Sequence, residues 1–152
     1  MLKKGFTLIE LLVVISIIGI LLGLSVFGLQ GARTSSRDAR RKADLEMIRS
    51  GLEIFKADCD KYYIGNSLPS PLIGQYGQSD PSPYSPSCLQ ANVYMAAVPT
   101  DPIPATHYYA YISDGTTYVL CASLEGIGNN VSDPECQYAC GTDDCNYKVR
   151  NP

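Results

Sequence analysis

From Leu11 to Leu29 the chain carries no charged side chain, and a run of that length admits few folds. A stretch of about 18 or more apolar residues is long enough to cross a bilayer core as a helix and too long for the apolar core of a secretory signal. A helix that is apolar on every side must be buried, either in lipid or against other apolar helices. Lys3, Lys4 and Gly5 stand just before it, followed by Phe6-Thr7-Leu8-Ile9-Glu10. A cleavable secretory signal runs in the order basic, apolar, small-residue site. Here the small residue, Gly5, lies between the basic pair and the apolar run, so cleavage after it leaves the helix on the mature chain. Glu10 is the one acid in this region. A carboxylate deep in a bilayer costs roughly 2.5–3.5 kcal/mol and marks a function or a partner.

The pattern Gly5-Phe6-Thr7-Leu8-Ile9-Glu10, with its basic leader and apolar helix, resembles the processing signal of type IV prepilins and type II secretion pseudopilins. The resemblance implies that a membrane prepilin peptidase cuts after Gly5, whose lack of a side chain admits the enzyme, and methylates the new amino group of Phe6. It further implies that Glu10 of one subunit neutralises the Phe6 amine of a neighbour inside a filament. Helix-breaking proline is absent before Pro69, and Gly28 and Gly31 are the soft points in its place. Gly19 and Gly23 form a small-xxx-small pair that lets helices approach closely.

Six cysteines, Cys59, Cys88, Cys121, Cys136, Cys140 and Cys145, all follow the anchor, as expected of an exported, disulfide-bonded head. Fifteen pairings are open. The preferred set joins Cys59 to Cys88 and Cys121 to Cys136 or Cys140, with Cys145 in the remaining pair. A zinc site built from Cys121, Cys136, Cys140 and Cys145 is the lesser alternative, because their spacing is not the paired C-x-x-C type. The cysteines place the head outside the inner membrane and the leader inside, against the positive-inside bias of Arg33, Arg37, Arg40, Arg41 and Lys42. Net charge is −3, so nucleic acid could be attracted only locally by that basic cluster. Asp38, Asp44 and Glu46 are interleaved with it, and Arg40–Asp44 and Lys42–Glu46 have i,i+4 spacing, which reads as a solvated helix face near lipid headgroups.

Leu45, Ile48, Leu52, Phe55, Cys59 and Tyr62 recur at intervals of three and four, so a one-sided apolar helix continues the anchor to about residue 62. The two halves together exceed fifty residues, or about 80 Å at 1.5 Å per residue. The stretch 65–86, rich in Pro, Ser and Gly, reads as an irregular surface connection, and 88–97 as a short helix. Asp114-Gly115, flanked by β-branched and aromatic runs, predicts a two-residue hairpin pairing Tyr111 with Tyr118 and Tyr109 with Leu120 on one face. Ala110 with Val119 and Tyr108 with Cys121 then occupy the other face. One face packs on the helix stripe, and eleven tyrosines without tryptophan suit a half-wet outer face.

The division is therefore a leader at 1–5, a transmembrane and assembly helix at 6–32, and a globular head at 33–152, with an α+β, pilin-like fold stapled by disulfides. The order Val98-Pro99-Thr100-Asp101-Pro102, Tyr109-x-Tyr111, Asp114-Gly115, Tyr118-x-Leu120, Gly126 and Gly128 resembles the major pseudopilin of type II secretion in outline. In that family a loop after the hairpin binds calcium; the oxygen ligands available here are Glu125, Asn129, Asn130 and Asp133, with no other cofactor expected. Catalysis has no support, since His107 is the only histidine and reads as a surface strand residue. The function the resemblance implies is a structural subunit of a type IV pilus or secretion pseudopilus. Its partners are copies of itself, the prepilin peptidase and an inner-membrane assembly platform. The precursor is held in the inner membrane, and the filament is periplasmic or on the cell surface. The alternative is a membrane-anchored minor pilin or binding module for DNA uptake or adhesion. The Cys-rich C-terminal loop is expected to be exposed.

Overall fold

One helix dominates the computed structural model, which describes residues 5–74, 87–128, 131–136 and 138–152 apart from the side chains of Val26 and Phe27. Helix α1 runs from Leu8 to Cys59. The chain divides into two compact units, residues 1–36 and 37–152, and α1 contributes to both. The first unit, where described, is helical from Leu8 onward. Its apolar side chains are exposed around the helix, Phe6 at 88% and Leu24 at 69% among them.

The second unit is built on the amphipathic end of α1. Leu45, Ile48, Leu52, Phe55, Cys59 and Tyr62 are all buried, as their spacing requires of one helix face. The helix stops at Cys59 because Asp60 turns into the left-handed region (φ 61°), its amide still bonded to the Lys56 carbonyl. Tyr62 therefore lies beyond the helix yet still reaches the core.

Strands β3 (Ala110–Ser113), β4 (Tyr118–Ala122) and β5 (Tyr147–Arg150) form an antiparallel sheet in the order β3-β4-β5. The β3–β4 register differs from the sequence expectation by two residues: Ala110 pairs with Cys121, Tyr111 with Leu120 and Ser113 with Tyr118. The connection is four residues long. Asp114 Oδ1 accepts from the amides of Thr116 and Thr117 at 2.8 Å each, and Gly115 takes φ +92°, so the aspartate closes a wider turn than a two-residue one. A slip of two keeps every side chain on its expected face, because strand side chains alternate with period two. Tyr111, Tyr118 and Leu120 accordingly join the helix stripe in one core.

On the opposite face Ala110 and Cys121 are covered by Cys140 and Cys145 in a second small core, while Ile112 and Val119 remain half-buried. The Cys-rich C-terminal loop is stapled onto the sheet through its cysteines and is otherwise largely exposed, Val131 and Tyr138 among its open side chains. The tyrosines are largely structural. Tyr62, Tyr63, Tyr111 and Tyr118 are buried, each ring adding area, and the hydroxyls of three find partners: Tyr62 and Tyr118 on Glu53 at 3.0 and 3.3 Å, Tyr111 on the Tyr63 carbonyl at 2.5 Å.

Strand β5 was not anticipated, and neither was the two-stranded ribbon of β1 (Leu72–Ile73) with β2 (Val93–Met95). Part of 88–97 is thus strand, not helix. Met95 lies over Gly51 of α1 so closely that a Cβ there would meet its Cε at 2.4 Å. Residues 75–86 of the expected surface connection lie outside the described residues.

Candidate functional site

The N-terminal motif and the start of the head are two places among the described residues where charge and chemistry concentrate. At the first, Gly5 is exposed and a Cβ added to it would meet nothing within 4 Å. Among the described residues no contact within the subunit therefore explains a glycine at this position. Thr7 is the N-cap of α1. Glu10 Oε2 accepts from the Thr7 amide at 2.9 Å and from its hydroxyl at 2.7 Å, while the Glu10 amide donates to Thr7 Oγ1 at 3.3 Å. This is a capping box, and its signal is visible in the sequence as Thr-x-x-Glu. Sequence reasoning read Glu10 only as a charge awaiting a partner and missed it. The box starts the helix at Leu8, two residues later than expected.

At the start of the head, the structure gathers Asp38 and Arg41 of α1, Asp101 of the segment before β3, and Glu125 of the segment after β4. The Arg41 side chain is 0% exposed. Its Nε and Nη2 donate to the two oxygens of Asp101 at 2.7 and 3.2 Å, and its Nη1 donates to Asp38 at 2.9 Å and to Glu125 at 2.8 Å. Arg37 Nε adds a bond to Glu125 at 2.7 Å. Burial works against the Arg41 charge, but the bonds to Asp101 and Glu125 outweigh it and raise the pKa further. The Glu125 carboxyl is pulled down to about 2, first by Arg37 and then by Arg41, against its partial burial.

The basic cluster is thus not a uniformly solvated face. Arg41 precedes Leu45 by four and Ile48 by seven, so it sits on the buried stripe, and that spacing was the signal available in the sequence. Arg40 meets Asp44 at 3.8 Å as its spacing suggested, whereas Glu46 meets Arg49 at 3.5 Å, and Lys42 lies 5.5 Å over the Tyr147 ring. Tyr109 donates to Asp44 at 2.8 Å, and burial, reinforced by that carboxylate, raises its pKa.

The suggested calcium ligands are distributed differently. Both oxygens of Glu125 are held by guanidinium groups, and Asp133 Oδ1 accepts from Lys148 Nζ at 2.9 Å and from the Glu135 amide at 3.0 Å. Asn129 and Asn130 lie outside the described residues. A calcium ion needs six to eight oxygens turned towards it. Carboxylates occupied by arginine and lysine do not fit one as placed.

The structure pairs Cys59 with Cys88, Cys121 with Cys136 and Cys140 with Cys145. The sulfurs of Cys121, Cys136 and Cys145 lie within 4.8 Å of one another, but each is committed to a disulfide and offers no thiolate to zinc. His107 is not a surface strand residue: its side chain is 11% exposed, it precedes β3, and its Nε2 lies 3.0 Å from Asp143.

Residues 1–26 match the family described as the prokaryotic N-terminal methylation motif. The chain is 28% identical over 113 residues to the type II secretion system core protein G of Dickeya chrysanthemi, covering 74% of this chain and 70% of that one. It is 30% identical over 100 residues to the protein of the same name from Klebsiella michiganensis (66% and 68% covered). The core protein G of Escherichia coli K12 is 28% identical over 100 residues, with 66% of each chain covered. No solved structure matches the chain. With the processing motif, the apolar helix and the disulfide-stapled α+β head already in place, these relatives show that the chain belongs to the type II secretion system core protein G family.

Proposed function

We propose that this chain is a building subunit of a type II secretion pseudopilus, polymerising through its N-terminal helix after the leader 1–5 is removed. The family is structural and not enzymatic. The observation that carries the reading is α1 itself, which is long and apolar enough to cross a membrane, with none of its most apolar stretch buried within the subunit. That surface disfavours water by about 25 cal/mol per Å² and requires lipid or other copies of the helix. Residues 6–32 form the assembly segment in this reading, and 33–152 the head. The precursor waits in the inner membrane with its head outside, and an assembly platform there lifts it into the filament.

Glu10 has two successive roles. In the single subunit its carboxylate is satisfied by Thr7. In the filament the Phe6 amine created by cleavage in a neighbouring copy offers a full positive charge, a stronger partner for a carboxylate in a low-dielectric setting than a neutral amide and hydroxyl. The exchange gives each subunit a defined register. A binding module for DNA uptake or adhesion gains less support, because Arg37 and Arg41 of the basic cluster are already committed to carboxylates.

Gly5→Ile and Glu10→Ala separate the two steps. The first is expected to keep its leader, and the second to be cleaved yet to assemble poorly, as read by N-terminal mass spectrometry and by electron microscopy of sheared filaments. Met1 retained in filaments of the unaltered protein would defeat the processing claim. A chain starting at Arg33 that formed the same filament would defeat helix-driven assembly.

A further inference from the structure

Three carboxylates from three separate segments meet at one buried point, and an arrangement of that kind exists only around a positive charge. Unneutralised, Asp38, Asp101 and Glu125 would repel one another in a medium that screens poorly. The charge present is the guanidinium of Arg41, fully buried, with its donors spread over all three acids. The acids in turn hold backbone. Asp38 accepts from the amides of Glu125 and Gly126 at 3.0 and 2.8 Å, and Asp101 accepts from the amide of Ile103 at 2.8 Å. Arg41 therefore fixes the segment before β3 and the segment after β4 against α1, with Arg37 as a second cation on Glu125.

We infer that this junction is a cation seat whose permanent occupant is Arg41, so that the head orders these two segments without calcium. A calcium ion gathers carboxylate oxygens at about 2.3–2.6 Å and leaves when its free concentration falls. A guanidinium does the same gathering through five fixed donors, carries its charge at every physiological pH and cannot dissociate from the chain. The inference concerns folding of the head and is independent of whether the chain polymerises. It also names a latent ligand: with Arg41 shortened, Asp38 and Asp101 lose their shared cation beside a Glu125 still held by Arg37, and an added divalent ion is the replacement charge that would gather them.

The test is thermal unfolding of the purified full-length chain in detergent, followed by tyrosine near-ultraviolet circular dichroism, in excess EGTA and in millimolar calcium chloride. The unaltered protein is expected to melt at the same temperature in both. A midpoint that falls in EGTA and returns with calcium would overturn the inference. Arg41→Ala in EGTA is expected to melt about 10–20 °C lower, and calcium to recover a large part of that loss. An Arg41→Ala protein that melts like the unaltered one, or that melts low and ignores calcium, would equally overturn it. Should Arg41→Ala not fold, Arg41→Lys carries the test, since it keeps the charge and loses the fork. It is expected to melt between the two and to gain nothing from calcium at low millimolar concentration, and full stability in Arg41→Lys would refute the role of the fork.

Discussion

The three disulfides close loops of very different length, which makes their removal a quantitative test of how the head is stabilised. Cys59–Cys88 spans 29 residues, Cys121–Cys136 spans 15 and Cys140–Cys145 spans 5. If a disulfide acts mainly by restricting the unfolded chain, the loop-closure expression gives about 3.6, 3.0 and 2.1 kcal/mol at 25 °C, in that order. A head of the size of residues 37–152 unfolds with an entropy near 0.24 kcal/mol per degree, so 1 kcal/mol shifts its midpoint by about 4 °C. Replacing both cysteines of a pair by alanine should therefore lower the midpoint by about 15, 12 and 9 °C respectively. The comparison is made on full-length chains in detergent, with tyrosine circular dichroism as the signal. All eleven tyrosines follow residue 61, so the signal reports the head and ignores the micelle-bound helix. The burial pattern makes a competing account explicit. Cys140 and Cys145 are as deeply buried as Cys59, so packing alone predicts similar losses for the short and the long loop. A loss for Cys140–Cys145 equal to or larger than that for Cys59–Cys88 would refute the loop-entropy reasoning.

Acid should weaken the head through Glu125. Its folded pKa is depressed to about 2 from an ordinary 4.5, so its contribution is complete above pH 4.5 and is lost as pH falls towards 2. Urea titrations of the unaltered protein and Glu125→Gln should differ at pH 6 and converge near pH 2, and a gap that does not narrow would count against the Arg37–Glu125–Arg41 cluster as its source. Gly141→Ala should cost about 2–4 kcal/mol, because the residue holds φ +108° and its new Cβ would lie 1.9 Å from the Thr106 carbonyl oxygen. Gly128→Ala, at φ +84° in open space, is the control and should cost only about 1 kcal/mol by the same urea measurement.

What the sequence determined by itself is whatever depends on neighbours along the chain. The uncharged run from Leu11 to Leu29, the processing motif around Gly5 and the stripe Leu45-Ile48-Leu52-Phe55-Cys59 are local patterns, and helix periodicity converts them directly into an anchor and a buried face. The inward set Tyr111, Tyr118 and Leu120 was legible for the same reason, since strand alternation survives an error in turn length. The register was not legible, because it turned on which amides Asp114 would capture. Strand β5 was hidden as well. Tyr147-Lys148-Val149-Arg150 has one aliphatic residue among charges, and it becomes a strand because β4 offers an unpaired edge and because Lys148 and Arg150 meet Asp133 and Glu135. Arg41 shows the limit most clearly. Its place on the apolar stripe could be counted out, but what it does there depends on Asp101 and Glu125, sixty and eighty-four residues away. Only the tertiary fold brings those acids together, and a buried charge is stable only where its counter-charges arrive with it.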